Sequence, residues 1–339
     1  MTRRTRLFVL IAAGILVAGL GTGLLASYMN IQNLTLIGGN GPEEFAYVPS
    51  DARVLGFANV RDVMDSDVRK KLMELNPGAD GADRFQERTG INLTTDVDTV
   101  TAAVIPGGEQ GPPLVLAKGR FDMVRLEGFA RDEGGVVEDY KGKRLITHDN
   151  FALGFVEPGM VAIGTPAVVR RAIDTKAAGN GNVTGNDELM RLVHQVDNGT
   201  VWGVARFDAL TGVNIPSEVK DRLPAISWFS IKGIVGSGID GLISAEARDD
   251  QAAQDLRQVV QGFVALGRMQ AGQNHPEIAE FINSLQITGQ GRTVSLGFSL
   301  PSALIDALGA LRAGQRPQAQ PTPEAPATQE PPRPAPPAL

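Results

Sequence analysis

The chain has 339 residues, 42% of them apolar and 5% aromatic, with a formal net charge of -6 and a pI near 5.3. That is length for two domains with cores of their own, and the acidic balance with few aromatics excludes the positive field and base-stacking platforms of a nucleic-acid binder. There is no cysteine, which excludes thiol catalysis, iron–sulfur clusters, cysteine-based zinc sites, disulfides and lipoprotein acylation.

Residues 1–6, MTRRTR, form a basic cytoplasmic lead-in, and Leu7 to Tyr28 then runs without a charged side chain. As a helix this run is about 33 Å long, enough to cross a hydrocarbon core of about 30 Å. The charges beyond it are Glu43, Glu44 and Asp51, so the positive-inside bias predicts a signal anchor with everything after Tyr28 outside the cytoplasm. A cleaved signal peptide is the competing reading; the run exceeds the usual apolar core of such peptides, and Leu24 with Ala26 supplies only half of a small-x-small cleavage site. Gly19 and Gly23 make a GxxxG that could seat a helix dimer, although glycine is common in membrane helices in any case.

A linker over 29–45 leads to the folded part, which carries one pattern twice. VLGFANVRD (54–62) resembles VWGVARFDA (201–209), LVLAKGRFD (114–122) resembles LISAEARDD (242–250), and VAIGTPAVVRRAID (161–174) resembles LGFSLPSALIDAL (296–308), the last two each reading strand, proline, helix. The order is kept in both halves, which predicts two related modules over 46–185 and 186–315. Hairpin-linked strands such as TVTAAVIPG, RLITHDNFALGFVEPGMVAIGT and SWFSIKGIVGSGIDGLISAEAR imply antiparallel sheet. The fold class is therefore α+β, each module being a sheet with helices on one face.

Helical spacing marks Leu256, Val259, Val260, Phe263 and Leu266 behind Asp249, a predicted N-cap, and Ile278, Phe281, Ile282 and Leu285 behind Pro276. Both stripes are expected in the core. Val259, Phe263 and Phe281 are also the candidate lining of an apolar ligand held between helices and sheet.

GSGIDG (236–241) is a literal GxGxxG, yet the LISAEAR that follows reads as strand, whereas a dinucleotide fingerprint must open a helix. It is read as a hairpin turn centred on Asp240-Gly241. The chain has no GxSxG, HExxH, phosphate loop or EF-hand loop, and His148, His194 and His275 lack a second histidine at ligand spacing. The pairs Asp65/Asp67, Asp96/Asp98 and Asp249/Asp250 adjoin predicted helix starts or turns and are read first as caps. No catalytic residue, metal site or cofactor is assigned. Sequons at Asn33, Asn92, Asn182 and Asn198 matter only in a eukaryotic secretory pathway. From Arg316 to Leu339 the proline-rich composition predicts a disordered tail, of spacer length if extended, with a PxxP at Pro331 and Pro334.

FAYVPSDARVLGFANVRDVMDSDVRKKL, FQERTGINLTTDVDTVTAAV and SLQITGQGRTVSLGFSLPSALIDAL resemble a group of bacterial membrane-anchored envelope proteins of unknown function. The resemblance covers about residues 45–310 and implies the architecture, with no activity attached. The leading expectation is a non-enzymatic, membrane-anchored extracytoplasmic binding or scaffold protein, with an envelope protein partner engaged through the proline-rich tail and homodimerisation through the anchor. The alternatives are a carrier or sensor of an apolar ligand, and a hydrolase using the aspartate pairs.

Overall fold

Short strands rich in Val, Ala and Gly alternate with capped helices along the chain. The computed structural model of the protein describes residues 42–75, 86–87, 90–106, 112–209, 224–270 and 276–304. The first half comprises β1 (Val54–Asn59), α1 (Val60–Asp65), α2 (Asp67–Leu75), α3 (Leu93–Asp96), β2 (Val97–Val104), β3 (Leu114–Gly119), α4 (Met123–Asp132), β4 (Val136–Tyr140), β5 (Lys143–His148), β6 (Phe151–Glu157), β7 (Met160–Gly164), α5 (Pro166–Ala178) and α6 (Asp187–Val193). The second comprises β8 (Val201–Arg206), β9 (Ile226–Val235), β10 (Ile239–Ala247), α7 (Asp250–Gln270), α8 (Pro276–Ser284), β11 (Gln286–Thr288) and β12 (Thr293–Leu300).

All the described strands join one 12-stranded sheet in the order β11-β12-β10-β9-β8-β1-β2-β3-β7-β6-β5-β4. Every pairing is antiparallel. The protein is thus α+β, but the two sheets expected from the sequence are one, because β1 and β8 pair with each other. Their register sets Val54 opposite Ala205, Gly56 opposite Gly203 and Ala58 opposite Val201. A local two-fold axis therefore passes through the two glycines that match in the likened segments. Outward from this seam stand β1-β2-β3-β7 on one side and β8-β9-β10-β12 on the other, so the strands of each likened pair sit equally far from it.

Side chains alternate between two faces along each strand. On one, called the α5 face, Leu114, Leu116, Met160 and Ala162 pack with Val168, Val169 and Ile173 of α5 and with Leu189 and Val193 of α6. Thr165 caps α5 by accepting from Val168 N at 3.2 Å, and Pro166 follows as its first residue. The helix lies close because the strands beneath are glycine there: a Cβ on Gly154 or Gly164 would come within 3.1 Å of Val169 or Val168. The opposite, α4 face carries Val115, Ala117, Val161 and Ile163 under α1, α3 and α4. In the second half that same face carries α7 on Ala245, Ala247 and Val294, and α8 through Phe281 on Phe298.

Helices therefore cover both faces of the first half, where one had been expected. The cause is visible in β3 and β7, which are apolar on both sides and need two covers. The described α6 packs into a cluster shared by the two halves, which joins Leu114, Leu116 and α5 to Trp202, Val204 and Trp228.

The GSGIDG segment is a hairpin turn joining β9 to β10, with Gly236 N donating to Gly238 O at 3.0 Å. The turn falls earlier than expected. Asp240 and Gly241 are already in β10, opposite Ser299 and Phe298, because the chain reverses at Gly236-Ser237-Gly238 and Asp240 is engaged by the Ser299 hydroxyl at 2.6 Å.

Candidate functional site

Several of the titratable groups singled out by sequence are engaged structurally. Asp249 Oδ1 accepts from Ala252 N at 2.8 Å and caps α7. Asp96 accepts from Asn92 N at 2.8 Å, Asp98 pairs with Arg61, and Asp67 accepts from Lys70 at 2.9 Å. Asp65 raises the carboxyl of Asp62, although burial is the larger cause. His194 ends α6 beside Asp197 at 3.2 Å, His148 is in β5, and His275 lies outside the described residues. Among the described residues no three metal-ligating side chains converge. One buried charge cluster is architectural: Glu127 of α4, with its side chain 10% exposed, takes two hydrogen bonds from Arg144 of β5 at 3.0 and 2.6 Å and a weaker one from Arg131.

An open cleft of about 570 Å³ lies where α3, β3 and α4 meet, lined by Asp96, Gly119, Arg120, Phe121, Asp122 and Arg125 among others. Its polar groups face one another. Arg120 N donates to Asp96 O at 2.7 Å, the Arg120 guanidinium reaches Thr95 O and the Asp96 carboxylate, and Asp122 caps α4 through Arg125 N at 3.0 Å. Gly119 is required here, since a Cβ would fall 1.9 Å from Asp96 O. The Asp96 and Asp122 carboxylates are engaged by backbone and guanidinium groups, and these contacts hold the corner together.

A feature of the described residues that the fold does not use up is the outer side of α7. Its inner seam, Ala253, Leu256 and Val260, meets the sheet, and Val264 is buried further along. A second apolar stripe adjoins it: Val259 is half-buried, and Phe263, Leu266 and Met269 are 50%, 55% and 79% exposed. The spacing 259, 263, 266, 269 is helical, so these side chains form one strip along the C-terminal half of α7. Large contiguous apolar surface of this kind marks contact sites rather than ordinary scatter. Between Leu256 and Gln270 the flanking charges are Arg257 and Arg268, with no acidic residue.

This corrects two expectations. Phe263 and Leu266, read as core, point away from it, because the apolar arc of α7 is wider than the strip of sheet beneath it. Met269 extends the same stripe and was missed, though its position three residues after Leu266 carried the signal. The proposed ligand lining is divided: Phe281 stacks edge-on against Phe298 at 6.5 Å, while Phe263 faces outward. The predicted anchor, with Leu7, Gly19, Gly23 and Tyr28, and the proline-rich tail lie outside the described residues. No helix among the described residues is long and apolar enough to cross a membrane.

No family model and no curated protein matches the chain. Solved structures of TP0453 in three crystal forms are similar in part: form III at 8% identity and a TM-score of 0.48, over 80% of this chain and 100% of that one; form I at 11% and 0.44, over 79% and 96%; form IV at 11% and 0.46, over 78% and 96%.

Proposed function

We propose that the protein is a non-enzymatic binding or scaffold protein of the cell envelope, built of two related modules, held by an N-terminal membrane anchor and displayed outside the cytoplasm. The partner it binds docks on the outer stripe of α7. The exposure of Phe263, Leu266 and Met269 along one helical strip carries this reading, since a monomer gains nothing by leaving three large apolar side chains in water. The proline-rich tail then acts as a second, extended arm.

The anchor is tested separately from the docking face. In sealed, right-side-out membranes, added protease should digest the chain beyond Tyr28, and protection of that region would refute the orientation. For the docking face, a photo-crosslinking residue at Met269 should trap a partner in intact envelopes. Phe263→Ser with Leu266→Gln should abolish the adduct while leaving the melting curve within about 1 °C of the parent, as expected for exposed sites. Undiminished adduct in the double variant would sink the assignment.

A further inference from the structure

The two halves differ on the α5 face, and the difference identifies an occupant. In the first half this face is covered by α5, which follows β7 directly. In the second half the matched positions are Leu242 and Ser244 on β10 and Ser295, Gly297 and Ser299 on β12. Among the described helices, α7 and α8 lie on the opposite face, and α6 meets this one through Glu188, which accepts from Trp228 Nε1 at 2.7 Å, and Arg191, which reaches Glu246 at 2.8 Å. Yet Ser230, Ser244 and Ser295 are 3%, 8% and 7% exposed. The hydroxyls of Ser244 and Ser295 satisfy each other at 2.8 Å, and that of Ser299 satisfies Asp240 at 2.6 Å. Beside Leu242 this surface has small side chains at Ser244, Ser295 and Gly297, with the two hydroxyls paired to each other, which suits the close approach of an apolar helix.

The chain supplies one. After β12, Pro301 opens a turn in which Leu304 N donates to Pro301 O at 3.0 Å, and Leu304 is already 4% exposed. Pro301 corresponds to Pro166, and Leu304, Leu308 and Leu311 fall at i, i+4 and i+7. Ala303 is exposed, which turns the seam toward those leucines. We propose that the segment 302–312 docks on the α5 face of the second half, over Leu242, Ser244 and Ser295, as α5 does on the first. The proline-rich tail then leaves from that face, opposite the α7 stripe.

The absence of native cysteine makes the test direct. Leu242→Cys is combined in turn with Leu304→Cys, Leu308→Cys and Leu311→Cys in the full chain, with Ile243→Cys, one residue along and on the other face, as the matched series. At least one Leu242 pair should form an intrachain disulfide about tenfold faster than its Ile243 counterpart, as a high local concentration and short Cβ separation require. Faster closure in the Ile243 series, interchain dimers in place of intrachain bonds, or no disulfide in any pair would each overturn the proposal. As an independent readout, Leu308→Glu should speed amide exchange across 242–246 and leave 114–118 unchanged; unaltered exchange on β10 contradicts the docking.

Discussion

On the α5 face the first half presents Leu114, Leu116, Met160 and Ala162, each 2% exposed or less, where the second presents Leu242, Ser244, Ser295 and Gly297. One plan of strands thus supports two kinds of surface. The first half is sealed on both sides by large apolar contacts, and the second is sealed on its α4 face by α7 and α8 while β10 and β12 present on the other face small residues, two of them serines with hydroxyls paired to each other, beside Leu242. Stability is therefore expected to concentrate in the first half and adaptability in the second, which is also where the apolar stripe of α7 is left in contact with water.

The largest effect should come from making the first half resemble the second. Leu116→Ser removes a fully buried side chain and inserts a hydroxyl, at a cost of about 3–5 kcal/mol, whereas the reciprocal Ser244→Leu should cost no more than about 1–3 kcal/mol of overpacking. Chemical denaturation of both variants checks the contrast, and equal losses would erase it. Next, Arg144→Met leaves Glu127 buried with only the distant Arg131, and should destabilise by about 3 kcal/mol; much of that loss should return when Glu127→Gln is added, read by the same unfolding curves.

A smaller, pH-dependent effect belongs to the second half. Burial raises the carboxyl of Asp240 above the ordinary range, and the Ser299 hydrogen bond opposes this only in part. A raised carboxyl in the fold means that the native state holds the proton more tightly, so its contribution is most favourable below the ordinary carboxylate value and is lost as pH rises through the elevated one. Asp240→Asn should accordingly raise the melting temperature by about 1–3 °C near neutrality, a gain that closes below about pH 4. Thermal melts across pH decide it; a pH-independent difference would mean that the charge is not the cause. The smallest stability change is expected at the α7 stripe, where Phe263→Ser and Leu266→Gln should each fall within about 0.5 kcal/mol of the parent, although binding is lost.

Much of this architecture could be read from the sequence, because it is written locally. The N-cap at Asp249, the proline after Thr165, the hairpin at GSGIDG and the antiparallel class all depend on residues within one turn or hairpin. The joining of two sheets into one could not be read, since the pairing of Val54–Ala58 with Val201–Ala205 is a long-range choice and any exposed strand edge offers the same backbone groups. Two-sided covering was missed for a related reason: short apolar runs such as MVAIG do not say how many layers they face. On α7 the period was right and the inference from it incomplete, because periodicity finds an apolar arc without telling how much of that arc the neighbours cover. The aspartate pairs were assigned to caps by their positions, and the hydrogen bond from Ala252 N to Asp249 shows that use at the start of α7.

The Gly56–Gly203 seam also bears on how the chain is made. As synthesis proceeds, β1 finds β2 promptly, but its other edge stays bare until Val201–Ala205 has emerged, on the order of ten seconds later at about 5–20 residues per second. During that interval the nascent first half carries an open strand edge with Leu55 and Phe57 beside it, a template for pairing with any other extended segment, including the same strand of a neighbouring chain. Whatever accompanies this protein while it emerges has the β1 edge to guard, and that part of its task ends when β8 arrives.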